Sequence, residues 1–282
     1  MLSTKLVDTC RGYVSLGYAS TPLTRSGQAG FNGSMTEVLA QKDAYLKEFE
    51  ATITAVDSPE AADGPAGAPS TAIALDRTAF FPGGGGQPHD LGWIAEMPVV
   101  RVKRQGEWIW HWLEGNPSGA PLQEGATMQG RIDWQRRYRL MRTHTAFHIL
   151  CGVVWRDYKA QVTGGNMEEL HGRMDFEFET LRGELVHEIE EKINAEVDAA
   201  RPVHVRFLPR EEAFEIPDLI RTKINLLPPQ IQEVRIVEIE GLDLQADGGT
   251  HVANTREVGG IRISGYKSKG RINKRIELTL TP

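Results

Sequence analysis

Cysteine is scarce. Cys10 and Cys151 are the two in 282 residues, too few for a disulfide framework and in keeping with a reducing compartment. Long apolar runs are missing too: none approaches the roughly eighteen residues a membrane-spanning helix needs, so no membrane role is expected. Nor is there an overall excess of positive charge, since 32 Lys and Arg face 38 Asp and Glu for a net charge of −6. Any contact with a polyanion must therefore use local patches. The run Gly83-Gly84-Gly85-Gly86-Gln87 lacks the Gly-Lys-Ser/Thr ending of a P-loop, which argues against nucleoside triphosphate binding.

What is present is the composition of an ordinary globular chain, 40% hydrophobic and 25% charged, long enough for one large domain or two smaller ones. Residues 1–34 stand apart: they are rich in Ser, Thr and Gly, without periodicity, and are expected to be disordered. Alternative readings are a weak organelle-targeting segment, or a misassigned start ahead of Met35. Otherwise a cytoplasmic location is expected.

From Phe49 to Asp133 the signals are short β-prone runs broken by Gly and Pro clusters: Thr52–Val56, Thr71–Leu75, Val99–Lys103 and Glu107–Leu113. Ala61–Ser70 and Glu114–Pro121 read as loops. The spacing, with no long helix among the runs, predicts a small β-barrel over 35–133. Near Trp134 the character changes. Helical spacing runs to about Trp155, and a second helix is marked by Leu181, Leu185, Ile189, Ile193 and Val197 ahead of Pro202. Val203–Leu208 and Val234–Glu240 read as strands, and Ile261–Tyr266 and Arg271–Leu280 as a hairpin with the basic tip Lys267-Ser-Lys-Gly270. Residues 134–282 are thus expected to form an α+β domain.

The chemistry concentrates in Arg142-Thr-His-Thr-Ala-Phe-His148. His144 and His148 lie one helical turn apart on one face, shared with Met141, Cys151 and Trp155, which is half of a metal site. A zincin would carry Glu directly after the first His as general base, but Thr145 stands there, so peptidase chemistry is not expected. Asp247-Gly-Gly-Thr-His251, roughly a hundred residues later, offers the other half, its glycines able to turn both side chains the same way. Cys151 rivals Asp247 for the third position, with Asp247 preferred. Two basic stretches flank these elements, Arg131 to Arg142 and Arg262 to Arg275, and together they suggest a polyanionic substrate.

Arg-Thr-His-Thr-Ala-Phe-His-Ile-Leu, Ala-Asp-Gly-Gly-Thr-His-Val and Phe-Phe-Pro-Gly-Gly-Gly-Gly-Gln-Pro at 80–88 together resemble the AlaX-type alanyl-tRNA editing proteins and the editing region of alanyl-tRNA synthetases. The likeness runs from about Met35 to the C-terminus. It implies a β-barrel followed by an α+β metal-binding editing domain that hydrolyses the ester joining a wrong amino acid, chiefly serine and also glycine, to the tRNA for alanine. It further implies metal ligands at His144, His148, Asp247 and His251, one zinc ion, and a substrate-binding loop at Gly83, Gly84, Gly85, Gly86 and Gln87. Thr163 falls where the family places a sensor of the serine hydroxyl, although Thr163-Gly-Gly by itself reads as a turn. Many relatives carry Cys at the position of Asp247, and a carboxylate admits other divalent ions. Arg136, Arg137, Arg142, Lys267, Lys269 and Arg271 are the expected tRNA contacts, and no stable protein partner is expected. Four protein ligands close a tetrahedron, so the ion is expected to orient substrate and water. The alternative is a tRNA-binding module without catalysis, its metal retained for structure.

Overall fold

The computed structural model describes residues 35–57, 70–115, 119, 122–220 and 231–281. The expected disordered extension at 1–34, the loop after Ala61 and most of the loop after Glu114 lie outside the described residues. The chain begins with a two-residue strand, β1 (Glu37–Val38), followed by β2 (Glu48–Asp57), β3 (Ser70–Leu75), β4 (Arg77–Thr78), β5 (Gly92–Ile94), β6 (Met97–Gln105), β7 (Trp108–Glu114) and β8 (Thr127–Ile132). β1 pairs with β4, while the other six strands close a barrel in the order β2-β3-β7-β6-β5-β8. Alternation explains the closure. Phe49, Ala51 and Ile53 from β2 point inward with Ile73, Leu75, Ile94, Met97, Val102, Leu113, Met128 and Ile132, filling the barrel with side chains. The inward row of β8 has no side chain at Gly130, and the ring of Phe49 directly opposite fills that space: a Cβ at 130 would lie 2.3 Å from Phe49 Cε1. The aromatic run of β7 is buried because Trp110 and Trp112 lie over the small side chains Ala55, Ala72 and Ala74.

Asp133 joins the barrel to the long helix α1 (Trp134–Tyr158), capping it by accepting a hydrogen bond from the Arg136 N–H at 3.1 Å. α1 is buried on nearly every side from Leu140 to Val154, so it is a core element and not a surface helix with one apolar stripe. It is followed by β9 (Val162–Glu168), β10 (His171–Glu177), α2 (Gly183–Asp198), β11 (Val203–Pro209), the short α3 (Arg210–Phe214), β12 (Glu233–Ile239), β13 (Asp243–Ala246), β14 (Ile261–Ser268) and β15 (Asn273–Leu280). These strands form an antiparallel sheet β14-β15-β10-β9 and a second sheet β11-β12-β13. Ile189, Ile193 and Val197 of α2 pack with Ile149 and Val153 of α1 and Phe176, Ile276 and Leu278 of the first sheet. The fold class is therefore α+β with a closed six-stranded barrel.

Two expectations need correction. Thr163-Gly-Gly is not a turn but the start of β9, paired with β10. The ring of Phe147 on α1 reaches Gly165 of this strand and Gly172 of the neighbouring β10, where a Cβ would come within 2.5 Å of Phe147 Cζ. The arginine run 131–142 is not a free basic face. Arg137 is fully buried, its guanidinium bound to Asp90, to the Ala79 carbonyl and, at 2.9 Å, to the Ala44 carbonyl, so it fastens α1 to the barrel and cannot contact tRNA. Arg136 and Arg139 pair with Glu169, Arg131 lies over Trp93, and Arg142 donates to the Val258 carbonyl. In the second basic stretch Lys267, Lys269 and Arg271 are exposed, whereas Lys274 is buried and Arg275 pairs with Asp175. Among the described residues, no helix is long and apolar enough to cross a membrane.

Candidate metal centre

One turn of α1 separates His144 from His148, and their ring centroids lie 5.2 Å apart. The loop after β13 brings His251 against both, with centroids at 4.2 Å from His144 and 4.6 Å from His148. Asp247 completes the group. Its Oδ2 lies 3.4 Å from His144 Nε2 and 3.9 Å from His148 Nε2, and its Oδ1 lies 3.1 Å from His251 Nε2. One ligand atom from each of the four falls within 4.8 Å of all the others. The histidine side chains are nearly sealed, whereas Asp247 is 16% exposed and marks the mouth.

The outward nitrogens of the imidazoles are held. His144 Nδ1 pairs with Gln87 Oε1 at 2.9 Å, His148 Nδ1 with Asp243 Oδ2 at 2.9 Å, and His251 Nδ1 with Thr145 Oγ1 at 3.4 Å. The amide and carboxylate oxygens accept, so His144 and His148 carry protons on Nδ1 and turn Nε2 toward Asp247. Three Nε2 atoms and one carboxylate oxygen in this arrangement fit a borderline divalent ion such as zinc. Cys151 is no part of it: its thiol is buried beside Met174 Sδ at 3.8 Å, so the carboxylate, not the thiol, fills the position in question.

Charge reinforces the geometry. Burial opposes ionisation of Asp247, but the neighbouring His144 and the close approach of all three imidazoles outweigh it and hold the carboxyl well below the usual range. Burial likewise works against a charged His148, yet Asp243 and Asp247 on either side raise it to about 9, so its Nε2 proton must leave before that nitrogen can hold an ion. His144 and His251 are both lowered, chiefly by burial, and are kept neutral with lone pairs available. Arg235, itself buried, donates to the Asp247 carbonyl at 2.8 Å and to the Gln41 carbonyl at 2.9 Å, tying the ligand loop to the first segment of the chain.

The glycine-rich loop belongs to the same site. Gly83, Gly84, Gly85 and Gly86 all adopt positive φ, from 60° to 133°, which other residues adopt only at a cost. The tight turn closes with reciprocal backbone bonds between Gly84 and Gln87 at 2.9 and 3.0 Å. It delivers Gln87 into the site, where the side-chain amide donates to Thr250 Oγ1 at 2.8 Å and accepts from the Thr250 N–H at 3.0 Å as well as meeting His144. Gly85 faces the mouth: a Cβ there would lie 3.9 Å from Asp247 Oδ2. Gln87 thus holds His144 from behind.

Thr163 lies at the start of β9 with its hydroxyl donating to Asn273 Oδ1 at 3.0 Å, beside the base of the basic hairpin. Among the described residues no hydrogen bond joins it to the four converging side chains. Asp243 escaped sequence reasoning, although a signal existed. Asp243, Gln245 and Asp247 alternate along an extended segment, so a strand assignment would have placed all three on one side.

Comparison with known proteins bears directly on this site. Residues 234–277, which contain Asp243, Asp247 and His251, match the family described as the threonyl and alanyl tRNA synthetase second additional domain. Over 257 residues the chain is 39% identical to the alanyl-tRNA editing protein AlaX-M of Saccharolobus solfataricus, covering 88% of this chain and all of that relative. The chain belongs to the AlaX family of alanyl-tRNA editing proteins. AlaX-M of Methanosarcina barkeri is 37% identical over 252 residues, 87% of this chain and 99% of its own length. A longer relative, the alanine–tRNA ligase of Ignicoccus hospitalis, is 37% identical over 238 residues, 81% of this chain and 24% of the ligase. The AlaX chain thus corresponds to one part of that enzyme.

Proposed function

We propose that this AlaX chain is a trans-editing hydrolase that removes serine, and also glycine, from mischarged tRNA for alanine, with one zinc ion held by His144, His148, Asp247 and His251. The convergence of these four donors, with each imidazole fixed from behind, carries the reading. When bound, the ion supplies concentrated positive charge for the oxyanion that develops during ester hydrolysis. The chain's own groups do the rest. An aminoacyl ester is already activated, so catalysis requires mainly a positioned water and an oriented carbonyl. Asp247, at the mouth and held ionised, accepts a hydrogen bond from the attacking water. Gly85 carries no side chain beside it, leaving room for the aminoacyl group. The exposed Lys267, Lys269 and Arg271 hold the tRNA backbone.

Thr163 supplies selectivity. Its hydroxyl gives its proton to Asn273, which leaves the oxygen free to accept from the serine hydroxyl. Alanine would leave that acceptor unpaired, so alanyl-tRNA is held weakly there and leaves with its ester intact. Thr163→Val is expected to lower discharge of seryl-tRNA at least tenfold with little change in stability, and equal rates for variant and parent would sink this role. The whole function is tested by incubating the protein with seryl-, glycyl- and alanyl-tRNA for alanine, with and without chelator. Discharge of the mischarged species alone, abolished by chelation and by His148→Ala, is expected. Tight binding of tRNA without discharge would instead identify a binding module with a structural metal.

A further inference from the structure

The three imidazoles differ in what holds them: Gln87 offers a neutral amide, Thr145 a hydroxyl, and Asp243 a full carboxylate. A carboxylate is the strongest of these acceptors and makes the imidazole behind it the best electron donor. We propose that Asp243 is a positioning residue for the metal, fixing His148 as the anchor ligand of the set; this rests on the metal reading given above.

Geometry built into the backbone supports this. The Asp243 side chain is completely buried, and a carboxylate is costly to keep there unless it has a charged or strongly polar partner. Gln245 donates to the same Oδ2 at 2.8 Å, which sets the plane of the carboxylate. β13 approaches α1 so closely that Gly152 is required between them: a Cβ there would lie 2.8 Å from Leu242 Cγ and 3.1 Å from Asp243 Cβ. The pairing of Asp243 with His148 therefore follows from how strand and helix pack, and not from the reach of a flexible side chain.

The test is zinc affinity in the full chain, read by competition with a chromophoric chelator. Asp243→Asn keeps the shape but weakens the acceptor, and its zinc dissociation constant is expected to rise about 10- to 100-fold. In the cobalt-loaded variant the visible absorption bands should shift as the His148 ring loses its orientation. A folded Asp243→Asn with affinity within about twofold of the parent, and unchanged bands, overturns the inference. A second measurement needs no variant. In the zinc-loaded parent, the His148 Nδ1–H proton should resonate downfield of its counterparts in His144 and His251, and the absence of that difference also overturns it. Failures separate cleanly: a parent that binds no zinc defeats the metal reading and this inference together. A parent that binds zinc but discharges no tRNA defeats the proposed hydrolase alone.

Discussion

Gly249 offers the sharpest perturbation of the site. A methyl group there would lie 2.3 Å from His144 Cε1, 2.5 Å from His144 Nδ1 and 2.7 Å from Gln87 Oε1, well inside van der Waals contact. The backbone at 249 is not in the left-handed region, so Gly249→Ala acts through this collision alone. Overpacking of this kind costs about 1–3 kcal/mol. Forcing the His144 ring away from Gln87 also breaks a buried hydrogen bond, adding about 1 kcal/mol. A total of about 2–4 kcal/mol, if it falls on the arrangement that binds zinc, corresponds to a roughly 30- to 1000-fold loss of affinity. Gly248 is the internal control, because its nearest neighbour to a new Cβ is Gln41 Nε2 at 3.6 Å, an ordinary contact. Gly248→Ala should keep zinc affinity within a few-fold. Chelator competition on both variants checks this, with circular dichroism to confirm folding. Equal affinities for the two would mean that His144 is not a ligand held in the observed position.

Other consequences concern the scaffold. Arg137→Met leaves Asp90 buried without its main partner and should lower unfolding free energy by about 3–5 kcal/mol in chemical denaturation; a loss under about 1 kcal/mol would show that α1 is fastened to the barrel by other means. His111 in the barrel is fully buried, and burial pushes its imidazole down to about 4 despite the hydrogen bond to the Ile73 carbonyl. The fold thus needs the neutral form: its contribution is complete above about pH 6.5 and is lost as pH falls toward about 4. Between about pH 7.5 and pH 5 the parent should lose roughly 2 kcal/mol more than His111→Gln, and parallel pH curves for the two would refute it.

How much was legible in the sequence varied with how local the signal was. The helix carrying His144 and His148 could be read from spacing, and the Asp247 to His251 loop from its glycines. Partners supplied from far along the chain could not. The arginines 131–142 look like a phosphate-binding face until Asp90 and Glu169 are seen to take three of them. β8 was hidden because an inward position is Gly130, filled by Phe49 from another strand. β13 was hidden because the residues it turns to the site, Asp243 and Gln245, are polar where a strand pattern would seek apolar ones. Gln87 was placed in the glycine-rich loop by likeness to the family, but its grip on His144 and Thr250 spans 57 and 163 residues. No local pattern reports contacts of that range.

The central claim is that one ion, held by four side chains, carries the deacylation. It is tested most directly by stripping the protein with chelator and titrating zinc back while following release of serine from seryl-tRNA for alanine. The account predicts no release from stripped protein and a rate that rises linearly to a plateau at one zinc per chain. Undiminished release after stripping, or a rate that ignores the zinc returned, would contradict it.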